Sequence, residues 1–346
     1  MKLNKILCIP VAMLLIAAIA IPAIAISSKN QTINTLSKNQ SHPSSLGKYF
    51  GIDDPVEQKI KELKAQGMND SDIVENLKAQ GMFWDPKTDD HGVGVLLTPE
   101  ESAKYNMGGS RAVYSGEIST SIGPLSVIGG TQANIVYKTS DSNYKGVCGN
   151  MKPGSLAISQ TGTSNHCITS HVGGPNTATD DWIEVGIRRD INVNGQPLGP
   201  YTVFTYWGHG GTAAWYCPPG FSVGPDTTIA YQIVIGSYDS SHNAYPYDVY
   251  VNGQFVRRVY INRETACVDW ANEVWRPNES VSYTSDTSNA EISSTWLINS
   301  NYNWVAWNHN IADYNSWAPY LFCPIASGRY EEGSNPIFWH FWSRTA

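Results

Sequence analysis

Lysine is missing from the second half of the chain, and charged residues are scarce throughout. No lysine follows Lys152, and Asp and Glu outnumber arginine beyond it. Only 15% of the 346 residues are charged, and the formal net charge is -7. A nucleic-acid-binding surface needs clustered basic residues, so we expect no nucleic-acid partner. A sparsely charged surface also gains little self-repulsion as carboxylates protonate, which permits function at acid pH.

Common catalytic signatures are also missing. The chain has no G-x-S-x-G elbow, no H-E-x-x-H motif, no P-loop and no G-x-G-x-x-G turn. The run 208–211 (GHGG) is similar to an esterase oxyanion loop, but without a nucleophile elbow we interpret it as a turn. His166, Cys167 and His171 offer a thiol–imidazole site only if the cysteine is reduced. The other histidines lack ligand spacing, so no metal and no cofactor are predicted.

The N-terminus predicts export. Lys2 and Lys5 precede an apolar stretch over 6–24 that closes with the small-residue pattern A-I-A at 23–25, the layout of a secretory signal peptide. A retained membrane anchor is the alternative, because the stretch is nearly long enough to span a bilayer. We expect residues 1–25 to be removed, which would leave a secreted protein without a stable membrane anchor.

The cysteines that remain after the leader are odd in number. Of six cysteines, Cys8 lies within the leader, and none of the others forms the paired short spacing of a zinc site. In an exported protein, disulfide bonds are therefore the better interpretation. The sequence leaves the pairing open, with Cys167 expected to bond to Cys148 and one cysteine left over. The disulfide candidates are Cys148, Cys167, Cys217, Cys267 and Cys323.

Residues 26–110 are predicted to form a polar leader and a small helical propeptide. Apolar residues recur at helical spacing from Pro55, and the sequence 63–68 (LKAQGM) is repeated at 77–82, which predicts two short helices that each end at a glycine. A small accessory domain is the alternative. As a propeptide, this segment would act as the protein's own inhibitor. Its basic residues would pair with acidic groups around an active site and release when those groups protonate.

Residues 111–346 predict an all-β domain. Short runs of β-branched and aromatic residues alternate with Gly, Pro, Asn and Asp, which is typical of an antiparallel β-sandwich, here a concanavalin-like jelly roll. The step 251–254 (VNGQ) is a strong hairpin signal. The predicted strands are 133–137, 156–160, 182–187, 201–207, 229–235, 247–251 and 254–261.

Two glutamates on β-rich segments are the remaining candidates for chemistry. In 182–187 (WIEVGI), alternation places Glu184 and Gly186 on one face and the aliphatic residues on the other. If the aliphatic face packs in the core, Glu184 lies on an open face beside space left by the glycine. The segment 267–275 (CVDWANEVW) combines aromatic residues with Glu273 in a similar way. A solvated strand face is the alternative for either glutamate taken alone.

The runs 155–160 (SLAISQ), 182–187 (WIEVGI) and 201–207 (YTVFTYW) occur in an informative order. Together they resemble three consecutive strands of the glutamic peptidases, both the fungal eqolisin type and the plant neprosin type. Neprosins carry a similar I-E-x-G-W strand followed by an F-x-Y-W strand, whereas eqolisins have glutamine at the position of Glu184. The run 270–274 (WANEV) is similar to the eqolisin W-x-x-E and the neprosin W-G-G-E-V.

The likeness covers about residues 155–274, is closer to neprosins, and has two departures. Arg188 replaces an aromatic residue, and 271–272 (Ala-Asn) replace the neprosin Gly-Gly. The resemblance implies an acid endopeptidase made as a proenzyme, in which Glu273 is the general base and Glu184 the electrophilic partner, or the reverse. It also implies cleavage after proline in a peptide or protein substrate. The substrate-binding candidates are Trp182, Tyr206, Trp270 and Gln160.

Two other functions remain open at this stage. Twelve tryptophans and nineteen tyrosines suit a carbohydrate-binding jelly roll, although aromatic residues also fill ordinary sandwich cores. A glycoside hydrolase would likewise use two carboxylates. A propeptide favours the peptidase, because a binding module rarely needs silencing.

Overall fold

The computed structural model describes part of the chain, all of it within the unit formed by residues 45–346. The described residues are 54–104, 132–139, 144–154, 156–158, 165–173, 181–190, 201–208, 211–216, 223–262, 267–274, 281–283, 290–308, 313–314, 325–334 and 337–345. In β-strands such as those over 132–139, 165–173 and 267–274, the description covers the backbone only.

Three helices and twenty strands are described. The helices are α1 (Pro55–Ala65), α2 (Asp70–Lys78) and α3 (Pro99–Lys104). The first ten strands are β1 (Met82–Asp85), β2 (Asp90–Val93), β3 (Val95–Leu96), β4 (Gln132–Thr139), β5 (Gly146–Lys152), β6 (Leu156–Ile158), β7 (Asn165–Gly173), β8 (Trp182–Asp190), β9 (Thr202–Trp207) and β10 (Thr212–Tyr216). The others are β11 (Ile229–Ile235), β12 (Tyr245–Val251), β13 (Gln254–Ile261), β14 (Cys267–Val274), β15 (Val281–Tyr283), β16 (Ala290–Ile298), β17 (Trp304–Ala306), β18 (Asp313–Tyr314), β19 (Ile325–Glu332) and β20 (Phe338–Thr345).

Side-chain caps begin the first two helices, and glycines follow their C-terminal ends. The Asp54 carboxylate accepts hydrogen bonds from the first free N–H groups of α1, and Asn69 does the same for α2. Beyond their C-termini, Gly67 and Gly81 adopt φ of +82° and +71°, a conformation that side chains disfavour. The two helices predicted from the repeated sequence are therefore confirmed.

The strands form two large antiparallel sheets packed face to face, which confirms the predicted all-β sandwich. Sheet A runs β1-β2-β13-β12-β11-β5-β16-β20-β19, with β17 paired to β16. Sheet B runs β18-β4-β14-β7-β8-β9-β10-β3, and β15 and β6 form a separate pair. The predicted hairpin joins β12 to β13, where Asn252 and Gly253 both have positive φ, as its two-residue turn requires.

Helices α1 and α2 add a third layer on sheet A. Aliphatic and aromatic residues from both sheets fill the core between them, among them Val185, Val203, Ile233 and Val249. A second apolar cluster joins the helices to the other face of sheet A. The order of layers is therefore helices, sheet A, sheet B. The outer face of sheet B lies on the far side of the sandwich from α1 and α2.

The segment between α2 and α3 supplies edge strands to both sheets, which the sequence did not predict. Strand β2 pairs with β13 at the edge of sheet A, and β3 pairs with β10 at the edge of sheet B. Gly94 connects the two strands with φ of +115°. Residues 82–96 are thus built into the sandwich rather than attached to its surface.

We expect Gly94→Ala to destabilise this crossing. An alanine Cβ would lie 1.8 Å from the Trp215 carbonyl oxygen, and the positive φ disfavours any side chain. Backbone strain of this kind costs about 1–3 kcal/mol, and the clash adds to it. Urea unfolding followed by tryptophan fluorescence measures the loss. Gly253→Ala is the matched control, because its φ is also positive but its Cβ position is open. Equal losses in the two variants would contradict the close approach.

Candidate active site on the outer face of sheet B

Strand β8 turns Glu184 away from the core, as its alternation predicts. Ile183, Val185 and Ile187 are almost completely buried between the sheets. Glu184 therefore lies on the outer face of sheet B, where it is half-buried. Gly186, on the same face, contributes no side chain beside it. Gly186 is itself buried, so the result is a partly shielded carboxylate in a covered part of the face, whose exposed portion can meet a ligand.

Tyr206 is the nearest described partner of Glu184 across the sheet. It lies directly opposite Glu184 in the β8–β9 register and is 6% exposed. Burial, followed by the negative charge of Glu184, raises the pKa of the Tyr206 hydroxyl. The phenol therefore stays protonated at neutral and acid pH. This agrees with the proposed substrate-binding role of Tyr206 without testing it.

An aromatic pocket borders this pair and holds a leucine from the front of the chain. Phe204 and Trp215 lie edge to face, with ring centroids 6.2 Å apart, and Tyr206 and Ala213 complete the cluster. Leu97 packs into the cluster and is 8% exposed. The Leu97 N–H also donates to the Ala213 carbonyl oxygen at 2.8 Å. A side chain of the front segment thus occupies the cluster to which Tyr206, the cross-strand partner of Glu184, belongs.

The register places Glu184 and Glu273 in the same sheet but not at the same level. Glu184 pairs with His171 of β7, whereas Glu273 of β14 pairs with Cys167, four residues along the same strand. With about 4.8 Å between strands and about 3.4 Å per residue, their Cα atoms are about 17 Å apart. The parity of the register assigns both to one face. The Glu273 side chain lies outside the described part of the structure.

Asp269 of β14 is level with Glu184. His171 pairs with Glu184 on one side and with Asp269 on the other, so the three residues share one row across β8, β7 and β14. Sequence reasoning missed Asp269, although its four-residue spacing from Glu273 gives the two acids the same strand parity. The structure therefore offers two residues of β14, Asp269 and Glu273, as the second acid.

The remaining substrate-binding candidates are placed less directly. Trp182 belongs to β8 and shares the parity of Glu184. Trp270 pairs with Ser170, which pairs with the core residue Val185, so the register does not bring Trp270 to the face of Glu184. Gln160 lies outside the described residues, and so do the side chains of Trp182 and Trp270.

A buried ionic cluster joins the front segment to sheet A, away from Glu184. The Asp54 carboxylate contacts His91 Nε2 at 2.7 Å and Arg258 at 3.3 Å, and Arg258 also pairs with Asp248 and Glu57. Burial opposes charge on His91, but the hydrogen bond and charge of Asp54 outweigh it and raise the pKa of His91. His91 Nδ1 lies against the Asp89 carbonyl oxygen. Both ring nitrogens therefore face acceptors, which favours the imidazolium.

The front segment supplies carboxylates to these contacts, not the expected lysines. Its buried Asp90 pairs with Arg257 of the β-domain at 2.6 Å, whereas Arg258 pairs with carboxylates from both parts of the chain, Asp54 and Asp248. Lys61 and Lys59 make exposed pairs within α1 instead, because the amphipathic helix directs its apolar face to sheet A. The expected contact between propeptide lysines and active-site acids is therefore not found among the described side chains.

The disulfide prediction is wrong for Cys148. It is a free, buried thiol on β5, and burial raises its pKa. Its neighbour Val147 packs in the core, so alternation turns Cys148 to the other face of sheet A, away from sheet B and from Cys167. The side chains of Cys167 and Cys267 lie outside the described part of the structure, and so do residues 217 and 323.

Neither a membrane-spanning helix nor a metal-binding cluster is present among the described residues. Within the described ranges, no helix is long and apolar enough to cross a membrane. Among the described side chains, no group of three or more His, Cys, Asp or Glu residues is placed to hold a metal ion. The predicted signal peptide, residues 1–25, lies outside the described residues.

Comparisons with known proteins return structural likeness only. No protein-family model matches the chain, and no curated protein matches it in sequence. Scytalido-glutamic peptidase aligns over 62% of this chain and 100% of its own length, with 11% identity and a TM-score of 0.41. SCP-B, a member of the eqolisin family of peptidases, covers 63% and 98%, with 10% identity and a TM-score of 0.38. The alginate lyase Aly36B covers 62% and 80%, with 12% identity and a TM-score of 0.27.

Proposed function

We propose that this chain is a secreted glutamic endopeptidase, made as a proenzyme and active at acid pH. The observation that supports it most is the setting of Glu184, a half-buried carboxylate on the outer face of sheet B, directly opposite the buried Tyr206. The motif resemblance over 155–274 supplies the reaction type. Cleavage after proline is part of the proposal on the strength of that resemblance alone.

The chemistry needs two carboxyl groups in different protonation states. An ionised carboxylate removes a proton from water as the water oxygen attacks the peptide carbonyl, and a protonated carboxyl group stabilises the oxygen that gains negative charge. The C–N bond then breaks, and the amine leaves with a proton from the acid. Neighbouring carboxyl groups ionise one after the other, so such a pair works best at acid pH. Glu184 is one member of this carboxyl pair. The Tyr206 hydroxyl would donate a hydrogen bond to the peptide carbonyl oxygen or to another group of the substrate.

Charge-neutral substitutions test the assignment and identify the second acid. We expect Glu273→Gln to abolish self-processing and peptide hydrolysis after acidification, a loss of at least about 100-fold. Glu184→Gln should retain some activity, because eqolisins carry glutamine at the corresponding position. Asp269→Asn should change the rate of peptide hydrolysis very little if Glu273 is the second acid. Mass spectrometry of the acidified protein and of a proline-containing substrate measures each outcome.

The matched controls separate chemistry from stability. Glu332→Gln changes an exposed acid of sheet A and should leave activity unchanged. If Asp269→Asn abolishes hydrolysis and Glu273→Gln does not, the register, rather than the motif, identifies the second acid. Full activity in all three active-site variants, or cleavage of a polysaccharide instead of a peptide, would contradict the proposal.

A further inference from the structure

We infer that the aromatic pocket of Phe204, Tyr206 and Trp215 is a subsite for a branched aliphatic side chain of an extended peptide, and that Leu97 occupies it in the uncut chain. This inference rests on the proposed function, because it assigns the substrate to the same sheet face. It predicts a preference that is separate from the proposed cleavage after proline.

The backbone at the pocket already shows how a peptide would bind there. Strand β3 pairs antiparallel with β10, and the Leu97 N–H continues this pairing at the Ala213 carbonyl oxygen. The Ala213 N–H donates to the buried Ser102 hydroxyl at 2.9 Å. Residues from the front segment therefore satisfy both backbone groups of Ala213. An extended peptide added to a sheet edge makes the same kind of contact, with side chains in alternating pockets.

The side chains of the pocket favour a peptide residue that is aliphatic and of the size of leucine. Leu97, Phe204, Tyr206, Ala213 and Trp215 are all less than 9% exposed, so the pocket is dry and fitted to an aliphatic group. Val95, two residues earlier, pairs with Trp215 in the β3–β10 register but is 60% exposed and does not belong to the buried cluster. An acidic or amide side chain in place of leucine would lose its water without gaining a partner, which disfavours such peptides.

The pocket is near enough to Glu184 to position a substrate. Glu184, Tyr206 and Ala213 lie in one row across β8, β9 and β10, and Leu97 follows at the edge. Three strand spacings make about 14 Å, or about four residues of extended chain. A peptide paired along β10 runs across this row, so it reaches Glu184 where, beyond the pocket, it turns from the edge and crosses the outer face of sheet B.

Peptide binding to the uncut chain tests this without depending on catalysis. The probe is a fluorescent, end-blocked peptide with the sequence of residues 93–99 (VGVLLTP), and the proteins are the full-length wild type, Leu97→Asp, Leu97→Ala and Val95→Asp. In the wild type, the tethered segment competes at an effective concentration in the millimolar range. We expect at least about tenfold tighter binding to both Leu97 variants than to the wild type or Val95→Asp.

The controls distinguish this inference from the proposed function. A peptide in which the residue equivalent to Leu97 is aspartate should not bind the Leu97→Ala protein. Equal binding of the two peptides, or of all four proteins in folded form, would overturn the pocket. Peptide binding by a protein that hydrolyses no proline-containing protein at any pH supports the pocket and contradicts the peptidase. Hydrolysis that is indifferent to leucine at every position near the cut supports the peptidase and overturns the pocket.

Discussion

Asp90→Asn should lower the free energy of unfolding by about 3–5 kcal/mol, because it leaves a buried arginine without its counter-ion. Asp90 is 1% exposed and binds the Arg257 guanidinium through both oxygens, at 2.6 and 2.9 Å. Arg257 is completely buried between the sheets and also donates to Thr205 and Thr212. An asparagine keeps the shape of the carboxylate but removes its charge. Chemical denaturation of purified variants measures the loss.

The control for this prediction is an exposed ion pair on the same front segment. Glu62, which pairs with Lys59 and is 61% exposed, should tolerate Glu62→Gln with a change of at most about 1 kcal/mol. Replacing both partners, Asp90→Leu with Arg257→Met, should recover much of the stability, since no uncompensated charge then remains. If Asp90→Asn costs no more than Glu62→Gln, the pair does not hold the front segment in the sandwich.

The short-range features of the fold could be predicted from the sequence. Alternation in β8 predicted that Glu184 lies on the face opposite the core, because Ile183 and Val185 on either side of it are both buried. The structure places it there, on the outer face of sheet B. The Asn252-Gly253 turn fixed a hairpin, since few other residues adopt its backbone conformation. Local chemistry decides these features, and so a short window of sequence is enough to predict them.

The features that the sequence could not reveal depend on distant partners. Arg257 would ordinarily be read as a surface residue, and only Asp90, 167 residues away in the chain, makes its burial tolerable. The sequence of strands β1 to β3 shows no alternating pattern that would predict them. They are stabilised by distant partners, since β2 pairs with β13 and β3 pairs with β10. The second acid is ambiguous for the same reason. Asp269 and Glu273 lie four residues apart on β14 and therefore face the same side of the sheet. Their pairing with β7 shows that Asp269, and not Glu273, lies in the same row as Glu184.

The ionic cluster at Asp54 and His91 determines how the attachment of the front segment to the β-domain depends on pH. The pKa of His91 is raised, so its contribution is complete below its ordinary value of 6.5 and is lost as pH rises through the higher folded-state value. For Asp54, burial is outweighed by the His91 contact, and its pKa is lowered. Its contribution is therefore present above the ordinary value of 3.8 and is lost only as pH falls through a lower one. Both contributions persist between about pH 4 and 6.5.

We therefore expect the front segment to stay bound in acid after the chain is cut. In a protein with a protease site inserted between Lys104 and Gln132, the N-terminal fragment should co-elute with the β-domain on size exclusion at pH 5. Binding should weaken as pH rises above the folded-state pKa of His91, and the charged neighbours Arg258, Asp248 and Glu57 should not reverse that trend. His242, which bridges Asp89 and Asp239 at 3.1 and 2.8 Å, is a second imidazole at this boundary.

Two variants identify the group responsible for that pH dependence. His91→Gln should bind the fragment more weakly at pH 5 and lose the decline above pH 6.5, whereas His242→Gln should keep the decline because His91 is intact. Release of the wild-type fragment at pH 5 would show that acid loosens the segment as a whole and would contradict the cluster's role. Retention would mean that a cut after Lys104 does not by itself release the front segment, so that α1, α2 and the edge strands stay bound to the β-domain in acid.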